Sequence, residues 1–257
     1  MTSETGKIQT AYPQEVWDEE HTRDRFEMAS ADDQVRCWMD TAIEQWVKVP
    51  PGEVRSLEIG CFPGRYLAYF GARGYEVNGI DLTPRVAPEM LDWLVGAGYR
   101  IGRVEKGDFF AFTDPRGFDI VLSNGFLEHF PDWERCFEGH LDLVRPGGLL
   151  LLATPNFVGK TQRFLHEVLD RENFDRHCLE AMNLEGWRRL AESRGFEVLR
   201  ADYFAEFDFW NGPQRRPLWQ KAIGRGIQAL IPILRLFIPS NSSSASPYLG
   251  IVARRKE

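Results

Sequence analysis

Two histidines and an acid beside a glycine turn are the residues best placed to do chemistry. His129 and His177 are the side chains most suited to take a proton from an oxygen nucleophile near neutral pH. His129 follows a run read as the fourth strand, and His177 lies in a polar stretch read as a substrate loop. His21, His140 and His166 rank below them, because a lone histidine is more often packed than catalytic. Asp81 stands 21 residues after Gly60, the spacing of an acid that accepts hydrogen bonds from ribose hydroxyls. The acid's spacing points to a nucleoside, and the two histidines are the candidate bases.

The turn itself narrows the ligand. Val54 to Ile59 reads as a strand, Gly60 and Gly64 let the chain swing sharply into a helix, and that helix turns its free N–H groups toward a polar ligand. The middle glycine that gives a pyrophosphate room to approach is replaced by Phe62, so a dinucleotide fits poorly. At this point the chain resembles the class I S-adenosylmethionine (SAM) methyltransferases, whose first motif matches at Glu58, Gly60 and Gly64, with a departure at Phe62. A second resemblance lies in Asn124-x-x-Leu127-Glu128-His129, a following helix and Arg145-Pro146-Gly147-Gly148 before a run of leucines. The resemblance implies SAM as cofactor, held by Glu58, Gly60, Cys61, Phe62, Gly64, Asp81, Leu82 and Asn124, with Asp108 on the adenine amino group and Phe109 against its ring. Asp108 also reads as the start of a short helix.

Some quinone-pathway O-methyltransferases resemble this region and hold a divalent ion with Glu-x-x-Glu-His. The first of those acids corresponds to Gly125 here, and Glu128 with His129 is a poor cage for a hard cation, so no essential metal is expected. Gly159-Lys160-Thr161 imitates the end of a phosphate-binding loop, but position 154 is Thr where the motif needs its first glycine.

Alternating strands and helices must position these residues, which implies an α/β fold: a three-layer, Rossmann-like, seven-stranded and mostly parallel sheet. Strands are expected near 75–80, 101–105, 118–124, 149–153 and 196–203, with 248–254 as the antiparallel last strand. Helices are expected at 65–73, 86–95, 184–193 and from Trp133 to Val144. Residues 1–50 are expected to form an N-terminal helical lid, with Ser30 and Asp33 as start signals and Val35, Trp38, Met39, Ala42, Ile43, Trp46 and Val47 at helical spacing, a stripe that reads as a core helix covering the sheet. The segment from Tyr12 to Phe26 is read from the resemblance as a lid over the cofactor. Residues 51–209 form the SAM-binding core, 210–247 an insertion, and 248–257 the last strand and tail. Residues 157–182 read as irregular, and 241–246 as a flexible linker.

Charge is unevenly spread. The net charge is −7, yet Phe209 to Lys256 holds eight Lys and Arg residues and no acid, so the tail including Glu257 sums to +7 and the remainder to −14. An acidic body argues against broad nucleic-acid binding. Within the insertion Trp219, Ile223, Ile227, Leu230, Leu234 and Phe237 recur at helical spacing, interrupted by Gly224, Gly226 and Pro232, which are expected to break or kink the helix. One reading is a basic amphipathic element, over 215–238, that touches a membrane surface or a lipid-linked substrate. The other is a pair of short helices that caps the substrate pocket or forms a homodimer face. Four scattered cysteines, an N-terminus without a secretion segment and no long apolar run point to the cytoplasm, with peripheral contact at the inner membrane surface as one option.

The resulting expectation is a SAM-dependent methyltransferase acting on a hydroxyl of a small metabolite or of a glycan, free or lipid-linked. The alternatives are N-methylation of a small amine and an inactive methyltransferase-fold scaffold.

Overall fold

The structure, a computed structural model, describes Thr10, residues 12–212 and residues 215–257. Most of the N-terminal stretch read as lacking a secretion segment, and Pro213 and Gln214 of the insertion, lie outside the described residues. The chain runs α1 (Gln14–His21), α2 (Gln34–Trp46), β1 (Arg55–Ile59), α3 (Arg65–Ala72), β2 (Glu76–Asp81), α4 (Glu89–Gly96), β3 (Ile101–Lys106), β4 (Phe118–Asn124), α5 (Trp133–Leu143) and β5 (Val144–Pro155). It continues with α6 (Lys160–Leu169), α7 (Arg171–Phe174), α8 (Leu184–Ser193), β6 (Phe196–Phe204), α9 (Leu218–Leu234) and β7 (Tyr248–Arg255).

The seven strands form one sheet in the order β3-β2-β1-β4-β5-β7-β6. Neighbouring strands pair in parallel except around β7, which runs antiparallel to both β5 and β6. The central strands are long apolar runs because both faces are covered: Leu57, Ile59, Val121, Leu150 and Ile251 face one core layer, and Ile120, Leu122, Leu149, Leu151 and Val252 the other. Strand order reverses between β1 and β4, so a crevice opens beyond their carboxyl ends, where open α/β sheets place their ligands.

Helix α2 starts where expected. The Asp33 carboxylate accepts a hydrogen bond from the Arg36 N–H, and Val35, Trp38, Met39, Ala42 and Ile43 pack into the core beside α3. It is thus a sheet-covering helix, and only the segment before it reaches the crevice.

Three expectations are corrected. Residues 157–182 are mostly helical rather than irregular, because α6 turns Gln162, His166 and Leu169 inward and leaves Phe164 exposed, so no apolar period marks it. The stretch 241–246 is anchored rather than flexible: the Asn156 amide donates to the carbonyls of Ser243 and Ser246, and Ser246 is fully buried. The insertion forms one 17-residue helix rather than two, with Pro232 inside it near the C-terminal end. Contacts of Ile227, Ile231 and Leu234 with Leu169, Phe207 and Phe209 hold that helix together despite a glycine cost of ~1 kcal/mol each.

Candidate active site

The glycine turn is built for close approach. Gly60 and Gly64 adopt φ of 69° and 84°, a region open to glycine without strain. A Cβ at Gly60 would stand 2.8 Å from the Phe126 ring, and one at Gly64 2.9 Å from the Met90 sulfur. Gly64 opens α3, and its N–H donates to the Cys61 carbonyl at 2.7 Å. The Cys61 side chain is buried under Gly79, so this residue offers the crevice only its main chain.

Asp81 closes the turn from the end of β2. Its carboxylate accepts from the N–H of Thr83 at 2.9 Å and of Phe62 at 3.2 Å. Burial pushes its carboxyl above the usual range, opposed by those N–H bonds and by nearby His21. The Phe62 ring packs on His21, 4.8 Å between centroids, and on Phe26 at 5.8 Å. Leu82 beside it is exposed.

Buried polar atoms without partners surround this turn: Glu58 Oε2, Thr83 Oγ1, Ser123 Oγ and Asn124 Oδ1. They come from the ends of β1, β2 and β4, and such orphans are rare unless something meets them. A ligand bearing ribose hydroxyls and an amino acid group would supply the donors, so the residues present fit SAM. Further along, Asp108 is exposed, and one of its carboxylate oxygens accepts from the Phe110 N–H at 2.9 Å, capping a short 3-10 turn. Phe109 is buried against His140, 4.8 Å between centroids, and Phe126 at 5.6 Å.

On the other side of the crevice stand both predicted histidines. His129 Nδ1 lies 3.2 Å from the Arg176 carbonyl, and His177 Nδ1 lies 2.8 Å from that of Asn173. A carbonyl only accepts, so Nδ1 carries the proton in each ring and Nε2 keeps its lone pair. The rings are 4.9 Å apart. Glu128 is buried beside them with both carboxylate oxygens unpartnered. The Cys178 N–H donates to the Glu128 carbonyl at 2.7 Å, pinning the two loops together.

Burial lifts Glu128 to about 8 and drops His129 to about 4 and His177 to about 3, the last aided by its neighbour His129. All three are therefore uncharged near neutral pH. Donor atoms of Glu128, His129 and His177 lie within 4.8 Å of one another, a set that could hold a divalent ion. The sequence reading weighed only Glu128 and His129 for that task; the structure adds His177.

Sequence reasoning took Trp17 as part of a lid and missed what Arg176 does. Trp17 meets His129 edge-on at 4.6 Å, and Arg176 lies 5.6 Å from the Trp17 ring while pairing with Glu20. One turn further along the same helix His21 sits over Phe62, and Arg85 donates to the His21 carbonyl. Helix α1 thus spans both halves of the crevice. Arg176→Ala is expected to raise the KM for SAM about tenfold, equivalent to ~1.4 kcal/mol, and to increase hydrogen exchange over residues 14–24.

The trio also shapes stability in metal-free protein. The unfolded state takes up protons on the histidines below their ordinary value of 6.5 while the folded state resists down to about 4, so stability falls as pH drops through that window. Glu128 acts oppositely: its folded value of about 8 exceeds the ordinary 4.5, so stability falls as pH rises between them. Melting temperature in chelator-treated protein is expected to peak near the histidine end of these windows. Glu128→Gln should remove the alkaline decline.

Residues 27–201 match the family model described as a methyltransferase domain. A ubiquinone biosynthesis O-methyltransferase from Xanthomonas campestris pv. campestris is 34% identical over 110 residues, covering 41% of this chain and 44% of that protein. The chain spans less than half the length of that curated relative. An S-adenosylmethionine dependent methyltransferase from Mesorhizobium loti shares the fold at a TM-score of 0.53 and 18% identity, over 84% of this chain and 96% of that one. A phosphoethanolamine-type N-methyltransferase from Haemonchus contortus, seen with S-adenosylhomocysteine, does so at 0.56 and 16%, over 85% and 52%. With its glycine turn, its strand order and a family match over most of its length, the chain belongs to the methyltransferase domain family of class I, SAM-dependent enzymes.

Proposed function

We propose that this enzyme methylates a hydroxyl group of a small metabolite or of a glycan, free or lipid-linked. The observation that carries this reading is the pair of neutral imidazoles, each with Nε2 unprotonated, of which His129 lies against Trp17 and His177 against His129. An alcohol or phenol must shed a proton as it is methylated, whereas a neutral amine can attack without a base. The relative that acts as an O-methyltransferase supports the same choice.

SAM, when bound, supplies an electrophilic methyl group on a sulfonium. The cofactor would be held by Glu58, Gly60, the main chain of Cys61 and Phe62, Gly64, Asp81, Leu82 and Asn124, with Asp108 and Phe109 toward the base. His129 accepts the hydroxyl proton on Nε2, and His177 stands as the second acceptor in reach. The Arg176 and Asn173 carbonyls hold both rings in the required tautomer. Trp17 and His21 shut out water, so that in-line presentation supplies much of the acceleration.

The deciding experiment incubates the protein with methyl-labelled SAM and paired hydroxylated and aminated acceptors, and identifies products by mass. Label on nitrogen alone would favour the amine reading, and SAM binding without transfer to any acceptor would favour a scaffold. No essential metal is proposed. Activity is expected to survive exhaustive chelation, and a loss that a divalent ion restores would make Glu128, His129 and His177 a metal site.

A further inference from the structure

Helix α9 is apolar on its outer face as well as its inner one. A helix on a protein surface normally turns apolar residues inward and charged ones outward. Here the only buried residue is Gly224, while Leu218 is 84% exposed, Trp219 53%, Leu230 50% and Ile233 54%. Projected at 100° per residue, Leu218, Trp219, Ile223, Leu230 and Ile233 share the outward arc with Ala222, Gly226 and Ala229, and that arc holds no charged side chain. Exposed Phe164 and Val168 of the adjoining α6 extend it, and the Gln220 amide donates to the Val168 carbonyl at 2.9 Å.

One flank of the helix is basic. A cleft of about 550 Å³ lies beside it, lined by Trp210, Asn211, Arg216, Lys221, Arg225 and Gln228. Lys221 and Arg225 are exposed and have no ion-pair partner among the described residues. No acid occurs from Phe209 to Lys256.

We infer that α9 seats the protein on an anionic phospholipid surface, its outward arc entering the interface while Lys221 and Arg225 receive the headgroup phosphates; Arg216 stays paired with buried Asp170. Charge complementarity selects this occupant. A second copy packed arc to arc would leave both basic flanks unneutralised, and an antiparallel pair would set them side by side, whereas an anionic surface neutralises them. The acidic body, at −14 over residues 1–208, is repelled by the same surface and so turns α9 toward it. The arc has the makeup of helices that lie in a membrane interface: large apolar side chains, a tryptophan and flanking Lys and Arg. No helix among the described residues is long and apolar enough to cross a membrane, so the contact is peripheral.

The test is co-sedimentation of the full chain with phosphatidylcholine vesicles and with vesicles that also carry phosphatidylglycerol. Wild type is expected to sediment with the second and not the first. Two surface double variants, Leu218→Asp with Ile233→Asp and Lys221→Glu with Arg225→Glu, are each expected to weaken partition at least tenfold, on the order of the loss of two anchoring side chains. Their melting temperatures should match wild type. Absence of sedimentation, or equal sedimentation with neutral vesicles, overturns the inference. So does light scattering that shows a dimer dissolved by the same variants, which would make the arc a subunit face. Stabilisation by inorganic phosphate without vesicle binding overturns it as well, leaving only a free-anion site. No readout depends on methyl transfer, so failure here leaves the proposed reaction standing, and the reverse.

Discussion

Asp81→Ala is expected to weaken SAM binding at least a hundredfold and to bring methyl transfer below detection. The carboxylate stands at the end of β2, between the N–H groups of Phe62 and Thr83, where it would also receive ribose hydroxyls. Losing an acceptor matched to buried donors costs ~2–3 kcal/mol or more, because the hydroxyls are left unpaired. The two N–H groups would be orphaned as well, so the turn itself could loosen. Asp81→Asn separates the effects: it keeps an oxygen for one N–H while removing the charge and one acceptor. Calorimetric titration with SAM and its demethylated product, alongside melting curves, reads both. Full affinity in a folded Asp81→Ala protein would remove this residue from the cofactor site.

The second large effect concerns the acceptor half. His129→Ala is expected to lower kcat by 10² to 10⁴, roughly the contribution of a positioned general base, with SAM affinity changed less than about twofold. If His177 relays the same proton, the double variant should lose little more than the worse single one. The pH profile adds a separate signature. A base must be unprotonated to act, and burial holds His129 near 4 and His177 near 3. Activity should therefore stay level on acidification past the range where an ordinary histidine titrates, and decline only toward the depressed values. Both rings are half-buried rather than sealed, so access of water would soften that decline. A profile that breaks at the ordinary histidine value, or equal activity in both single variants and wild type, would defeat the assignment.

What could be read from the residue order depended on where each stabilising contact lies. The central strands were legible because their residues are apolar on both faces, and α2 because Asp33 and a spaced set of aliphatic and aromatic residues announce it. The turn from Glu58 to Asp81 was legible because it is local. Helix α6 was not, since its inward positions are Gln162 and His166, whose burial depends on partners such as the Asp208 carbonyl far along the chain. The same holds for 241–246, tied down by Asn156. Each histidine could be nominated separately, but their meeting could not, because it rests on main-chain carbonyls and on the bond from Cys178 to Glu128. Glu128 was weighed only as a metal ligand, since nothing local says that both its oxygens are shut away from water.

Helix α1 has a kinetic consequence. Trp17 and His21 are one turn apart on a single rigid rod, one over His129 and the other over Phe62. Neither doorway can swing wide by itself, so spent nucleoside and methylated product must leave through the same opening event. Throughput would then follow solvent viscosity and the stiffness of the tether between His21 and Ala29, even where the bond exchange at sulfur is fast.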